Sequence, residues 1–278
     1  MVASREGTKT VQDDTTVAQG VEPMFDLVTA ARPARADVLH LAAGTVGAIK
    51  IPGVLPADVC RDVVERTQRW DFDVYAPRRI HPPVAEFGPA AYDHYLDGRL
   101  RDEYWAHSDS ATTTWREAVG AQDPLQRVIA CLARCWAGPV HRVTVGGRPL
   151  FAGMIREFTG GARIHFDEVV REFPGVFDSV PIAQFGFNCH LSMPEEGGDL
   201  TVYRRRWRPR DDRHRAGYGW DRPIVEGEPS LTIHAEAGDA VIFDSRNYHS
   251  VAANTEGRRV TLSFFIGVTV EGRLVIWS

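Results

Sequence analysis

The sequence predicts a mainly β fold, a barrel-like sandwich supported by a helical N-terminal flank. Two observations predict it. From Leu150 onward, short runs of β-branched and aromatic residues alternate with glycine-containing turns. Before that point, apolar residues recur at helical spacing behind recognisable helix-start signals.

Residues 1–40 are rich in Thr, Ala, Asp and Arg, with weak periodicity, and are expected to form a partly disordered lead-in. Residues 41–147 are expected to be the helix-rich flank. An apolar stretch from Thr45 to Val54 leads to Pro56, which opens a helix with Val59, Val63, Thr67 and Trp70 along one face. Residues 71–122 carry Phe72, Tyr75, Phe87, Tyr92, Trp115 and other aromatics among several prolines. Loops and short helices are expected there, walling a pocket or simply packing. Asp123-Pro124 then supplies an N-cap and a proline at the first helical position. Leu125, Val128, Ile129, Leu132 and Trp136 give that helix its apolar face.

Residues 148–278 are expected to be the β core. Strands are expected at 150–158, 183–193, 200–207, 230–234, 240–244 and 259–268.

Composition narrows the class. The 278 residues carry a formal net charge of -5, which argues against a nucleic-acid or anionic-membrane partner. No stretch reaches the roughly 20 apolar residues of a membrane span. The N-terminus, with Asp13 and Asp14 and no apolar run, does not read as a signal peptide. Of the four cysteines, Cys131 and Cys135 share a helix face and read as small core hydrophobes. No Cys-x-x-Cys pair suggests a zinc ribbon. A cytoplasmic, reduced protein is the expectation.

The chemistry concentrates in Arg163-Ile-His165-Phe-Asp167 and, much later, Asn247-Tyr-His249-Ser-Val251. On a strand, His165 and Asp167 would face the same side. His249 from a distant strand would complete a set of two imidazoles and one carboxylate. Such a set leaves three coordination positions open, as non-haem Fe(II) oxygenases require.

His-x-Asp alone is a weak signal, so its surroundings matter. Arg259 opens a strand on which Arg259, Thr261 and Ser263 share a polar face opposite Val260, Leu262 and Phe264. A guanidinium there would grip a carboxylate in a two-toothed pair, with Thr261 or Ser263 adding a hydroxyl donor. The competing reading is a solvated Arg258-Arg259 pair after a glycine turn. Glu195-Glu-Gly-Gly-Asp199 is a tight turn between strands. On the strand before it, Asn188 and His190 share the face opposite Phe187 and Cys189. They either look onto the metal pocket or serve the structure.

Four blocks in this order resemble the iron(II)- and 2-oxoglutarate-dependent oxygenase family, nearest its prolyl-hydroxylase-like branch. They are Arg156-Glu-Phe-Thr-Gly-Gly161 leading into His165-x-Asp167; Glu195 to Asp199; Gly238 to Phe243; and His249-Ser-Val251 with Gly257-Arg-Arg259. The resemblance spans roughly residues 148–270. It implies a double-stranded β-helix (jelly-roll, cupin-like) core, with Fe(II), 2-oxoglutarate and O₂ as cofactor and co-substrates. It implies that His165, Asp167 and His249 ligate iron and that Arg259 holds the 2-oxoglutarate carboxylate. Phe158 stands where the family commonly has Tyr, so Thr261 or another group must replace that phenol.

Residues 245–249, 263–267 and 203–207 also resemble a bacterial group of small-molecule hydroxylases and radical halogenases. Its halogenases carry Gly or Ala in place of the carboxylate ligand. Asp167 therefore implies hydroxylation or a related oxidation, not halogenation, and the resemblance implies a small-molecule substrate such as a free amino acid or specialised metabolite. A peptide-directed hydroxylase and a non-catalytic metal- or ligand-binding β-barrel are the alternatives. The Arg-rich segment 203–215 is read either as a lid over the pocket or as a solvated loop. Arg204, His190 and Phe158 are the candidate substrate contacts.

Overall fold

A computed structural model of the chain describes residues 24–68, 70, 73–74, 83–120 and 123–278. Ten strands position the site: β1 Val46–Ile51, β2 Met154–Phe158, β3 Ala162–His165, β4 Pro181–Ser192, β5 Leu200–Arg206, β6 Ser230–Ile233, β7 Ala240–Phe243, β8 Asn247–Val251, β9 Arg259–Thr269 and β10 Leu274–Trp277. They fall into two sheets. One runs β1-β7-β4-β9-β2 and the other β3-β8-β5-β6. The larger sheet is extended by short strands from the N-terminal half and by β10 beside β9. From β2 to β9 the chain passes repeatedly between the sheets, so neighbours in sequence face each other across the interior. Leu200, Val202 and Ile233 of one sheet pack on Ala48, Val241 and Phe243 of the other.

The fold is thus mainly β with a helical flank. The flank holds α1 Arg35–Ala43, α2 Ala57–Thr67, α3 Asp102–Val119 and α4 Pro124–Trp136. The expected start of α4 is present: the Asp123 carboxylate accepts from Leu125 N at 2.9 Å and also from Trp115 Nε1 at 2.9 Å. Cys135 is buried, Cys131 half-buried, and both thiols are free. The helix after Pro56 buries Val59, Val63 and Thr67, while Trp70 lies beyond its end against Phe87, ring centroids 4.2 Å apart.

Two stretches differ from expectation. Residues 1–23 of the expected disordered lead-in lie outside the described residues. The remainder is structured: Asp26–Thr29 pairs in parallel with β1, and α1 ends on Gly44 at φ 73°. That helix buries only Val38 and Leu41, too few apolar residues to register as a stripe. Within the segment expected to hold short helices, α3 runs for 18 residues. Its buried face is Tyr104, Ser108, Ala111 and Trp115, correct in spacing but half composed of small residues. Phe72 and Tyr75 lie outside the residues whose side chains are described.

Candidate metal centre and active site

β3 and β8 pair antiparallel and set His165 directly across from His249. β3 ends at His165. Asp167 therefore stands just off the strand, and the same-face argument for two strand residues does not place it. Its backbone does. Asp167 N donates to Ser245 O at 2.9 Å, and Asp167 O accepts from Gln184 Nε2 at 3.1 Å and from Ser245 Oγ at 3.2 Å. Gln184, buried on β4, also accepts from Val169 N at 2.8 Å. Through this amide the larger sheet clamps the loop that carries the carboxylate.

The result is convergence. Asp167 Oδ2 lies 3.3 Å from His249 Nε2 and 3.8 Å from His165 Nε2, and the donor atoms of all three residues lie within 4.8 Å of one another. His165 Nδ1 is 2.7 Å from Arg163 O and His249 Nδ1 is 3.0 Å from Asn247 O. A carbonyl only accepts, so each Nδ1 carries the proton and each Nε2 presents its lone pair. Burial first, then the neighbouring His249, pushes His165 down to about 4, which keeps its ring neutral. Burial would raise the Asp167 carboxyl, but His165 and His249, with Arg156 nearby, hold it below the usual carboxylate range. Three lone-pair donors facing one another repel unless a cation lies among them.

A cavity of about 70 Å³ between the sheets is lined by His165, Asp167, His249, Asn188, Phe158 and Arg259, among others. Arg259 is 1% exposed. Its Nε donates to Gly198 O at 2.8 Å, while its Nη2 is buried with no hydrogen-bond partner among the described residues. Gly198 belongs to the expected turn after β4 and lies at φ 75°. A Cβ there would stand 3.2 Å from Arg259 Cδ, so the glycine lets backbone and guanidinium meet. The guanidinium carbon sits 4.9 Å from the centroid of the Phe158 ring. Burial pulls Arg259 down to about 10, against the pull of Asp199, and it stays charged near neutrality.

Other expected site residues fall elsewhere. Thr261 and Ser263 share the buried face with Arg259, but their hydroxyls lie 3.3 Å from each other and neither lines the cavity. His190 is buried away from it, with Nδ1 3.3 Å from Asp239 O. Arg204 is exposed. Its neighbours belong to the structure: Arg205 pairs with Asp211 at 2.7 Å and Glu228 at 2.8 Å, and Arg206 with Asp244 at 2.7 Å. Trp207 carries the Arg171 guanidinium 4.3 Å above its ring and lies 6.1 Å from Phe166, centroid to centroid. The Arg-rich segment thus buttresses the loop beside Asp167.

Sequence reasoning missed an outer cavity of about 180 Å³ that shares Arg156, Phe158, His165 and Asp167 with the inner one. Glu172, Tyr218, Phe173 and Trp277 add to its wall, and so does Tyr92 from the aromatic N-terminal region. Only Tyr92 carried a signal, the aromatic richness of residues 71–122. Glu172 reaches the wall through the four-residue helix Val169–Glu172, which lacks any periodic pattern.

Residues 28–278 match the family model described as carrier-protein-independent halogenase WelO5. An L-gamma-glutamyl-L-propargylglycine hydroxylase of Streptantibioticus cattleyicolor is 39% identical over 264 residues, 91% of this chain and 96% of that protein. The chain belongs to this family of iron(II)- and 2-oxoglutarate-dependent oxygenases. The leucinostatins biosynthesis cluster protein S of Purpureocillium lilacinum is 28% identical over 73% of this chain and 89% of its own length. In fold, the oxygenase is similar to an N-substituted L-amino acid dioxygenase from Burkholderia ambifaria solved with alpha-ketoglutarate. The TM-score is 0.57 at 14% identity, over 88% of this chain and 91% of that one.

The residues of the oxygenase fit iron and 2-oxoglutarate. Two neutral imidazoles and an ionised carboxylate are a ferrous donor set. The orphaned Arg259 Nη2, with Nε already committed, suits a carboxylate end-group.

Proposed function

We propose that this oxygenase hydroxylates an unactivated C–H bond of a small amino-acid-like molecule, coupled to conversion of 2-oxoglutarate and O₂ into succinate and CO₂. The observation that carries the reading is the convergence of His165, Asp167 and His249 beside the half-satisfied guanidinium of Arg259. We read the two sheets as a double-stranded β-helix, with β3 and β8 bringing the imidazoles together and β9 the arginine. His165, Asp167 and His249 would hold Fe(II) through two Nε2 atoms and a carboxylate oxygen. Bound iron with 2-oxoglutarate supplies the one-oxygen oxidation of the substrate.

The protein's own residues do the rest. The carbonyls of Arg163 and Asn247 fix both tautomers. Gln184 and Ser245 fix the carboxylate loop. Arg259 would grip the remote carboxylate of the co-substrate in the inner cavity, with Asn188 as a further polar wall. The apolar walls of both cavities, Phe158 and Phe265 among them, keep water from the reacting centre.

Hydroxylation rather than halogenation is supported by Asp167, which fills the position a halide would need, and by the hydroxylase relative. A small molecule rather than a polypeptide is supported by a cavity of about 180 Å³ walled by Ala90, Tyr92, Phe173 and Trp277. Four free thiols suit a reducing, cytoplasmic setting.

The test is succinate release from 2-oxoglutarate with Fe(II), ascorbate and a panel of free amino acids and dipeptides, with products weighed by mass spectrometry. A gain of one oxygen matched to succinate is expected. Turnover independent of 2-oxoglutarate, or a chlorinated product in chloride buffer, would overturn the reading.

A further inference from the structure

The proposed hydroxylation leaves one carboxyl in the pocket without a role. Glu172 lines the outer cavity together with the proposed iron ligands His165 and Asp167. It is partly exposed. No hydrogen bond or ion pair joins its carboxyl to another described residue, unlike that of its neighbour Glu168, which pairs with Arg171. The nearest charges acting on it, Asp167 and Glu168, are both acidic. Around it the wall is apolar and aromatic: Tyr92, Phe173, Phe265 and Trp277.

A carboxyl in such a place is costly unless something cationic meets it. Its side chain is also fixed in approach. Val169 N is tied to Gln184, and Phe173 N donates back to Val169 O at 2.7 Å, so the short helix cannot swing Glu172 out to solvent without breaking both bonds. The cavity holds the opposite charge too, on Arg156. Besides the Asp167 carboxylate, committed to the proposed iron site, it therefore presents a carboxyl that burial and the neighbouring Asp167 push up in the pocket, and that an ammonium would hold in its charged form, beside a greasy wall.

We propose that Glu172 is the substrate-ammonium anchor of this oxygenase, so that the substrate carries a free amine while its aliphatic part lies against the aromatic wall. This rests on the small-molecule hydroxylase reading and adds to it a chemical class and a specificity-determining residue. Anchored at Glu172, an amine sets which carbon of the chain stands over His165 and Asp167. N-acylation removes the charge that Glu172 selects.

The test separates binding from chemistry. The enzyme, loaded anaerobically with Fe(II) and 2-oxoglutarate, is titrated calorimetrically with free L-amino acids and L-γ-glutamyl dipeptides, each beside its N-acetylated counterpart. The same pairs are then compared in turnover. Expected are binding of the amines at least tenfold tighter than of their acetylated forms in the wild type, and loss of most of that preference in E172Q. E172D keeps the charge and should retain part of it. Uncoupled succinate release, which needs no amine, is measured in the wild type and reads the underlying chemistry separately. An unchanged amine preference in E172Q with a wild-type Tm would overturn the Glu172 assignment alone. Absence of succinate release in the wild type both alone and with every compound tested would overturn the oxygenase reading beneath it.

Discussion

His165 and His249 lie across from each other on paired antiparallel strands with ring centroids 4.2 Å apart, and each donates Nδ1–H to the carbonyl two residues before it. The two rings are thus oriented by the same local device, one on each strand. Both Nε2 atoms turn toward the Asp167 carboxylate. The register of β3 against β8 is therefore a functional quantity as well as a structural one.

That register can be perturbed from Gly161, just before β3. Gly161 sits at φ 72°, and a Cβ there would meet Val251 O at 2.5 Å and Ala253 N at 2.7 Å. G161A should cost roughly 1–3 kcal/mol and weaken Fe(II) affinity together. G53A, at φ 60° with nothing within 4 Å, is the control for backbone strain alone. Thermal unfolding and metal titration check both. Equal iron affinity in the two variants would detach the strand register from the metal site.

Arg259 should act on the co-substrate. R259A is expected to raise the 2-oxoglutarate requirement by about 2–5 kcal/mol, as loss of one partner of a buried charged pair does. R259K keeps the charge but loses the fork, and should fall between. The KM for 2-oxoglutarate and its binding constant read the effect. An unaltered requirement in R259A would remove Arg259 from this role.

The Arg-rich segment should behave as structure. Asp211 is 2% exposed, paired with Arg205, and accepts from Tyr248 OH at 3.3 Å, one residue before His249. D211A leaves Arg205 without its buried partner and should cost about 3 kcal/mol. R204A, at an exposed position, should leave Tm and turnover nearly unchanged. A large loss of substrate affinity in R204A with Tm intact would restore Arg204 as a substrate contact.

His190 should make stability depend on pH. Burial first, then the Arg259 guanidinium, pushes it down to about 3. In the unfolded chain a histidine takes its proton near pH 6.5. Between these values the unfolded state binds the extra proton, so stability is lost as pH falls from about 6.5 toward 3. The contribution is at most on the order of 5 kcal/mol. Denaturant unfolding of metal-free wild type and H190Q across this range checks it, the variant giving the flatter profile. Parallel profiles would show that His190 takes up its proton at the same pH folded and unfolded.

The β core and the site were legible in sequence to different depths. Strands such as Pro181–Ser192 and Arg259–Thr269 declare themselves by alternation of apolar with polar or small residues, although both faces are buried. His165, Asp167 and His249 were found by spacing, yet Asp167 reaches its place through Gln184 and Ser245. Ser245 lies in a block that carries a resemblance, but nothing in the sequence shows its bond to Asp167 O, and Gln184 carries no signal at all, since both act through long-range hydrogen bonding. Arg259 was expected at the pocket and lines the inner cavity, but its partner Gly198 O is a backbone atom and invisible to side-chain pattern. α3 was missed because Ser108 and Ala111 occupy half its buried stripe. The Arg-rich segment read as a lid or a solvated loop because two of its counter-charges, Glu228 and Asp244, lie far along the chain.

The most direct test is an anaerobic Fe(II) titration in the presence of 2-oxoglutarate, followed by the visible charge-transfer band of the chelated complex. One iron per chain with a saturating band is expected for the wild type, and loss of the band in H165A, D167A and H249A. Full stoichiometry and an unchanged band in any of the three variants would contradict a shared metal centre.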